Sequence, residues 1–353
     1  MPRAAIASSS ACLVPPLLRA TTHHMNQPRL ALVIALLSLH LYTSAGQTTV
    51  SLSGLVYIDY EYTLAAPAEE AEGQNGFGYR RLYLTSDFGI SEEFSARARL
   101  EAHDGSTTAQ GRPAPFIKDL YLKWEDAFAE GHDLYIGISP PPSFTVSERI
   151  WGFRSLERTI QDRTGVVSSR DFGVALRGPL SPNGAVRYGV MAANNNGVGG
   201  ESDKHKRVYG QLEIHPGNGL VITVGADYAS FGDDRDDAVN GNAMVAHSRG
   251  RVTVGLEGFY YRASLAGLDE TDDLYGLAAF GRANVNDKIT LVGRFDRVEM
   301  SAPGVEDSEN FFLAGVSIRP HENVDFIPNV IVSKLDSDDG SFVAGRVTLH
   351  VDF

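Results

Sequence analysis

From residue 49 to the end of the chain, apolar and polar side chains alternate in short segments that turn residues separate. In the segment 94–103, one face carries Phe, Ala, Ala, Leu and Ala, and the other carries Ser, Arg, Arg, Glu and His. A period of two is typical of a β-strand whose two faces meet different surroundings. The pattern therefore predicts an all-β protein.

The connections between these segments alternate in length. A transmembrane β-barrel has short turns at one end and long loops at the other, whereas a β-sandwich has no reason to separate them in this way. We therefore predict a transmembrane antiparallel β-barrel of about 16 strands. The short turns lie near residues 91–93, 127–131, 179–184, 215–219, 249–250, 284–287 and 319–323, and the longer loops near 62–76, 104–115, 140–169, 195–205, 231–242, 264–271, 301–308 and 336–340.

The N-terminal residues differ from this pattern. An apolar run at residues 30–41 is too short to cross a bilayer, and the small residues that follow it suit signal peptidase near Ala45. Met25 would begin a signal peptide of ordinary proportions, and a buried helix is the alternative interpretation. We predict that residues 1–46 are an N-terminal extension and cleaved signal peptide, and that residues 47–353 form a single barrel domain.

The C-terminal segment alternates up to its last residue. Leu349, Val351 and Phe353 share one face, while His350 and Asp352 share the other. A last strand that ends in an aromatic residue resembles the signal that the outer-membrane barrel-assembly machinery recognises. We therefore predict an outer-membrane location, with Leu349, Val351 and Phe353 as the assembly signal and with outer-membrane lipid and lipopolysaccharide as surroundings.

Charge and motifs narrow the function. The chain has 44 acidic and 31 basic residues, a net charge of −13, which argues against nucleic acid as a partner. Its one cysteine, Cys12, precedes the predicted cleavage site, so no disulfide is expected. We find no zinc motif, nucleophile elbow or phosphate-binding glycine loop, and we expect no enzymatic activity, no cofactor and no metal site. Acidic clusters at 233–237, 269–273 and 336–339 are interpreted as solvated loops, with cation bridges to lipopolysaccharide as the alternative.

The third long loop, from residue 140 to about residue 169, is the longest. Long loops of this kind are usually functional, and we expect this one to fold inward and narrow the lumen. The stretch from Glu148 to Arg158 could form a short helix. Rings of basic side chains favour anions in pores, so a basic constriction would favour anions. The alternative interpretation of this segment is a solvated loop whose arginines pair with its own acidic residues. The predicted constriction comprises Arg149, Arg154, Arg158 and Arg163 from the loop, Arg97, Arg99 and Lys123 from the wall, and Asp119 and Glu101 as counter-charges.

Three short motifs resemble the phosphate-selective porin O/P-like group. They are Tyr121-Leu122-Lys123-Trp124, Tyr135-Ile136-Gly137 before the Pro-rich loop, and Arg170-Asp171-Phe172-Gly173-Val174. The resemblance covers roughly residues 78–195. It implies a sixteen-stranded barrel, often a homotrimer, through which small hydrophilic or anionic solutes diffuse passively. Members of the group hold phosphate with arginines and a ring of lysines, but this chain has only six lysines, and no such ring can be placed.

Two other functions remain open. A closed barrel that serves as a structural or ligand-binding protein would have much the same sequence pattern. A lipid hydrolase would need a Ser–His pair on the outer wall, where His103 and His247 are the candidate histidines. For trimer contacts, the apolar segments 220–228 and 324–332 are candidates.

Overall fold

The structure is a computed structural model that describes residues 48–232 and 235–353, so the predicted signal peptide and Asp233 and Asp234 lie outside the described residues. Each strand pairs antiparallel with its neighbours in sequence, and β1 pairs with β16 to close the barrel. This confirms the prediction of a closed antiparallel barrel with sixteen strands. The strands are β1 (Thr49–Ala65), β2 (Asn75–Gly89), β3 (Phe94–Ala102), β4 (Phe116–Trp124), β5 (Asp133–Ser139), β6 (Asp171–Pro179), β7 (Val186–Ala193), β8 (Arg207–Gly217), β9 (Leu220–Ser230), β10 (Arg235–Arg249), β11 (Val252–Leu265), β12 (Thr271–Asn284), β13 (Ile289–Ala302), β14 (Val305–His321), β15 (Val324–Leu335) and β16 (Phe342–Asp352).

The outer surface of the barrel wall is apolar, whereas its inner surface includes many buried polar and charged side chains. Leu52, Leu277 and other large apolar residues are more than half exposed, whereas Asp296 and Thr348 are fully buried. A soluble protein has the opposite distribution, because exposed apolar surface costs free energy in water. No helix among the described residues is long and apolar enough to cross a membrane.

The four longest connections, at 66–74, 103–115, 140–170 and 194–206, all lie at one end of the barrel, as the sequence predicts. Two loops are shorter than expected, because β10 already begins at Arg235 and the turn between β13 and β14 contains only residues 303–304. The polar residues of 235–242 and 301–308 form strands because the backbone hydrogen bonds of a ladder require no apolar face. The long loops at 231–242 and 301–308 were therefore wrong predictions.

The loop between β5 and β6, residues 140–170, is the longest of the described connections and is called L3 below. It contains the helices α1 (Thr145–Trp151) and α2 (Ile160–Thr164). The expected helix over 148–158 is wrong, because α1 stops at Gly152, which adopts a left-handed conformation with φ of 69°. Arg154 and Arg158 therefore lie in the non-helical link between the two helices.

Five consecutive strands are markedly shorter than the others. The strands β3 to β7 contain 9, 9, 7, 9 and 8 residues, whereas the remaining strands contain 11 to 17. A strand that crosses a bilayer at a tilt of about 45° needs about 9–11 residues. This part of the wall, called the short wall below, is therefore at or below the length that a membrane requires.

Candidate functional site

One side of L3 packs against apolar side chains of the strands β7 to β15. Trp151 of α1 is 1% exposed, and its ring lies 5.6 Å from that of Phe280 on β12. Leu156 and Ile160 are fully buried. Burial of side chains of this size stabilises the loop by about 2–3 kcal/mol each. L3 is therefore held against this part of the wall by an extensive apolar contact.

Charged groups fix L3 to the wall as well. Arg163 of α2 is paired with Glu309 on β14 at 2.8 Å and with Asp296 on β13 at 3.2 Å. Its guanidinium also lies 4.7 Å from the ring centre of Phe311. Arg163 was predicted to bring positive charge to a constriction, but here its charge is compensated by two carboxylates. Its position indicates an anchoring role.

Arginines of the wall donate hydrogen bonds to backbone carbonyls of L3. Arg346 of β16 donates to the carbonyl of Leu156 at 2.7 Å, and Arg80 of β2 donates to the same oxygen at 3.3 Å. Arg207 of β8 donates to the carbonyl of Val166 at 2.8 Å. Non-helical loop segments leave carbonyls without partners, and these arginines satisfy them. The backbone of L3 is thereby held at Leu156 by β2 and β16 and at Val166 by β8.

The opposite side of L3 faces β1 to β4 across two cavities. The upper cavity, of about 410 Å³, includes His103 and lies towards the long-loop end. The lower cavity, of about 490 Å³, includes His350 and lies towards the short-turn end. Both are lined by Tyr57, Arg81 and Arg154, which we call the junction. The two cavities adjoin at these three residues along the wall, and together they are called the passage below.

Basic side chains outnumber acidic ones in the passage by eight to six, although the chain as a whole has a net charge of −13. The lining is therefore richer in basic side chains than the chain as a whole, and carboxylates behind it, Asp59, Asp119 and Glu213, pair with some of them. The basic residues are Arg80, Arg81, Arg99, Lys118, Arg149, Arg154, Arg158 and Arg170, and the acidic residues are Glu101, Asp104, Glu148, Glu157, Asp162 and Asp352.

Two β-bulges direct consecutive charged residues to the passage. On β2 the pairing with β1 skips Arg80, so that both Arg80 and Arg81 face inward. On β4 the pairing with β3 skips Lys118, which faces the upper cavity beside the buried Asp119. A bulge adds one residue to a strand and thereby changes which face the following side chains occupy. Strict alternation would have placed one member of each pair in the apolar outer surface.

The structure brings together five of the predicted constriction residues. Arg154, Arg158 and Glu101 line the upper cavity, while Arg99, Arg149 and again Arg154 line the lower one. Arg149 is the most open of them, with a side chain that is 62% exposed and paired with a glutamate of β8. Of these five residues, Arg154 lines both cavities.

Arg97 and Lys123 lie elsewhere, in a separate cavity of about 380 Å³ at the short-turn end. Arg97 forms two hydrogen bonds with Asp87, at 2.6 and 3.0 Å, and Lys123 is 2.9 Å from Asp133. Both charges are thus compensated locally.

Asp119 is 1% exposed and lies behind the lining of the passage. It is 3.1 Å from Arg99 and also accepts a hydrogen bond from Arg170. A buried carboxylate of this kind fixes the direction of the guanidinium groups that it binds. Asp119 therefore positions two arginines of the passage.

Sequence reasoning missed four basic residues of the passage, Arg80, Arg81, Lys118 and Arg170. The signal that reveals three of them is the pair of adjacent charged residues within one strand, as in Arg80-Arg81 and Lys118-Asp119. Charge on the lipid side of a barrel strand is costly, so such a pair indicates a bulge.

Within L3, Arg154 lies between two carboxylates. Its Nε is 2.6 Å from Glu148, and its other edge donates a hydrogen bond to Asp162. Burial, together with the negative charge of Asp162, raises the pKa of Glu148 to about 7 despite this ion pair. Burial also raises the pKa of Asp162. The passage therefore contains a carboxyl group that changes its charge near neutral pH.

The predicted assembly residues lie at the seam of the barrel. The backbone of Phe353 exchanges two hydrogen bonds with Gly54 of β1, at 2.5 and 3.0 Å. The ring of Phe353 covers Gly54 so closely that a Cβ there would lie 2.2 Å from it. Leu349 and Val351 pair with Ile58 and Val56 along the same seam. Their role as an assembly signal remains a prediction.

Comparison with known proteins yields no matching family model and no matching curated protein. Solved structures do match. Two of them are structures of OmpT of Vibrio cholerae, each 11% identical to this chain, with 87% of this chain and 99% of that chain covered. The TM-score is 0.66 for a mutant that lacks loop L8 and 0.62 for a trimer form. An anion-selective porin from Comamonas acidovorans is 14% identical over 87% of this chain and 100% of that one, with a TM-score of 0.65. OmpF of Salmonella typhi, in complex with daunomycin, is 12% identical over 87% and 98%, with a TM-score of 0.61. At these identities the likeness establishes the fold.

Proposed function

We propose that this protein is an outer-membrane porin through which ions and small hydrophilic solutes diffuse passively. The observation that carries the proposal is the passage, in which two cavities meet at Tyr57, Arg81 and Arg154 between L3 and the wall. A path lined by charged and polar side chains suits hydrated solutes and gives no binding surface for apolar ones.

The proposal places L3 inside the lumen as the constriction. L3 contacts β14, β16 and β2 on one side of the closed barrel and β8 on the opposite side. A single loop can reach all of these strands when it crosses the interior. The apolar side of L3 then fills the part of the lumen next to β7–β15 and leaves the passage beside β1–β4 for solutes.

The outer membrane is the location that this architecture fits. An apolar outer surface around a closed barrel matches a bilayer, in which every backbone polar group must be paired. The similar structures include proteins described as outer-membrane proteins. The predicted signal peptide would provide export, and barrel-assembly machinery, membrane lipid and lipopolysaccharide would be the partners.

The passage favours anions in this account. Eight basic side chains against six acidic ones line it, and the fold is shared with an anion-selective porin. A preference for phosphate, as in the phosphate-selective porin O/P-like group, is less well supported. The lining contains a single lysine, Lys118, whose ammonium group is 2.9 Å from Glu101.

We further propose a homotrimer that forms through the short wall. The seven residues of β5 span too little of the apolar layer of a bilayer, which is about 25 Å thick. Contact with another copy of the chain would remove the short wall from the lipid, so that its strands would not have to span the apolar layer of the bilayer. The short wall is therefore a better candidate for the interface than the segments 220–228 and 324–332, which belong to longer strands.

Planar-bilayer recordings test the channel function. The barrel, refolded and shown to be heat-modifiable on gels, is expected to produce stable conductance steps with a reversal potential that favours the anion in a salt gradient. A folded protein that never conducts would contradict the proposal and favour a closed binding or structural barrel. Release of fatty acids from phospholipid by the same preparation would favour a hydrolase.

A further inference from the structure

We infer that a groove on the outer surface of β10 to β13 binds an anionic glycerophospholipid of the inner leaflet. The groove has a volume of about 670 Å³ and an apolar lining, and it is called the outer groove below. This volume lies within the range of about 300–1,000 Å³ that small-molecule sites occupy. The inference goes beyond the proposed channel function, because it requires that the barrel lies in a membrane but not that it conducts ions.

Two adjacent glycines form the floor of the outer groove. Gly281 of β12 pairs with Val254 of β11 on one side and with Gly293 of β13 on the other. Val254 is 51% exposed and borders the groove, and so does Phe295, whose ring centre lies 4.7 Å from that of Phe312. Glycine has no side chain, so the outer surface is recessed between these larger residues. A fatty acyl chain that fits the recess gains dispersion contacts that a flat wall does not offer.

Basic residues lie at the end of the groove that faces the short turns. Arg249 and Arg251 lie at the turn between β10 and β11, Lys288 lies at the turn between β12 and β13, and all three are exposed. They are two, five and three positions from the nearest groove residue of their strands when taken in the order Arg249, Lys288 and Arg251, or roughly 7–17 Å at about 3.3 Å per residue. Such a separation places a headgroup at the turns and its acyl chains in the groove.

The two basic turns contact each other. Arg251 donates a hydrogen bond to the carbonyl of Val285 at 2.8 Å and lies 3.4 Å from Asp287, which is 98% exposed. Asp287 offsets one of the three positive charges, so the pair of turns remains positive. Short turns of outer-membrane barrels face the periplasm, where the adjacent leaflet consists of phospholipids. Positive charge at a membrane surface attracts anionic headgroups.

The short turns of the short wall have the opposite charge. Glu92 and Glu93 lie between β2 and β3, and Glu125, Asp126 and Glu130 lie between β4 and β5. Anionic headgroups are repelled there and attracted below the outer groove. The strands β10 to β13 contain 14 or 15 residues, enough to span the bilayer, so this face suits contact with lipid.

His247 adds a hydrogen-bonding group to the outer groove. It lines the groove and pairs with Val254, between the apolar Val245 and the basic Arg249 along the outer face of β10. A polar side chain on the lipid face is costly unless it forms a hydrogen bond. A phosphate or ester oxygen of the lipid can accept a hydrogen bond from the imidazole ring. The apolar recess, His247 and the basic turns thus match the chain, the ester region and the headgroup of one phospholipid.

Binding of phosphatidylglycerol and of zwitterionic phosphatidylcholine to the refolded barrel in detergent, measured by native mass spectrometry, tests the inference. We expect the wild type to bind phosphatidylglycerol about tenfold or more tightly than phosphatidylcholine, since each basic residue near the headgroup contributes about fivefold. The double variant Arg249→Gln/Arg251→Gln should lose most of this preference. Arg319→Gln should retain it, because Arg319 lies at the same end of the barrel but is bound to Asp325 by two hydrogen bonds of 2.9 Å.

The double variant Gly281→Leu/Gly293→Leu fills the outer groove. An added Cβ would lie 3.5 Å from its nearest neighbour at Gly281 and 3.9 Å at Gly293, so the wall tolerates the change. Affinity for both lipids should fall about tenfold, because about ten dispersion contacts of the acyl chain are lost. Gly241→Leu is the matched control, since Gly241 is an exposed glycine of β10 outside the groove with nothing within 4 Å of an added Cβ. It should bind both lipids as the wild type does.

Equal affinity of the wild type for the two lipids, or wild-type affinity for phosphatidylglycerol in Gly281→Leu/Gly293→Leu, would overturn the inference. A groove-filling variant that changes its oligomeric state but still binds phosphatidylglycerol would assign the groove to a second copy of the chain and overturn it as well. None of the substituted residues lines the passage, so conductance should be unchanged in every variant. A barrel that binds phosphatidylglycerol as expected but never conducts would contradict the proposed function alone.

Discussion

We expect Glu148 to make the ion selectivity of the proposed passage depend on pH. Its pKa is raised from an ordinary value of 4.5 to about 7, chiefly by burial, so the group is charged above pH 7 and neutral below it. As the pH falls from about 8 to about 6, the passage loses one negative charge. We therefore expect the preference for anions over cations to increase over this range.

The size of the effect follows from the Coulomb energy of one charge in a water-filled path. At about 6 Å in water the energy is about 0.7 kcal/mol, and about 0.1 M salt reduces it to roughly 0.4 kcal/mol. The change favours an anion and disfavours a cation by similar amounts, so the permeability ratio should change by about 0.8 kcal/mol, which is about fourfold.

Reversal potentials in a fixed salt gradient, recorded at a series of pH values, measure this ratio. Glu148→Gln should show the high anion preference of the low-pH wild type throughout. Glu157→Gln removes another carboxylate of the upper cavity and should retain the step near pH 7, because Glu148 is still present. A wild type whose selectivity is constant over this range, or a step that survives in Glu148→Gln, would refute the reasoning.

Three further changes test other parts of the account. Replacing both Arg154 and Arg158 by Ala should raise the permeability of cations relative to anions severalfold, and unchanged reversal potentials would remove both residues from the constriction. Trp151→Ala should remove about 3–5 kcal/mol of packing from L3. Its channels should be larger and noisier and its loop more sensitive to protease, whereas wild-type conductance would argue against L3 as the constriction. Phe353→Ala should slow the appearance of the heat-modifiable barrel in outer membranes, and normal assembly kinetics would contradict a role of the seam residue.

Much of the fold could be predicted from the sequence because its strands have two different faces. The alternation of segment 94–103 and the regular spacing of turns are consequences of a wall between lipid and water, and both are visible residue by residue. The length of L3 was visible as well. The ends of several strands could not be predicted, because strand segments that extend beyond the membrane pair through backbone hydrogen bonds and need no alternating apolar side chains.

The candidate site was harder to predict, because β-bulges and long-range contacts determine which side chains face the passage. Arg81 and Lys118 face the passage only because a residue is skipped in each strand, which depends on pairing with the neighbouring strand. Arg163 and Arg154 look alike in the sequence, yet the first is bound to the far wall and the second lines both cavities. Tyr57, which is 6% exposed, also faces the passage.

The most direct test of the account is to ask whether ions travel through the passage itself. Cys12 is the only cysteine of the chain and precedes the barrel, so a single cysteine can be introduced at Ser169 in the upper cavity, with Ser202 in an exposed loop as the control. A bulky charged thiol reagent should sharply reduce the single-channel conductance of Ser169→Cys and leave that of Ser202→Cys unchanged. Complete labelling of Ser169→Cys without any change in conductance would contradict the claim that the passage is the route of permeation.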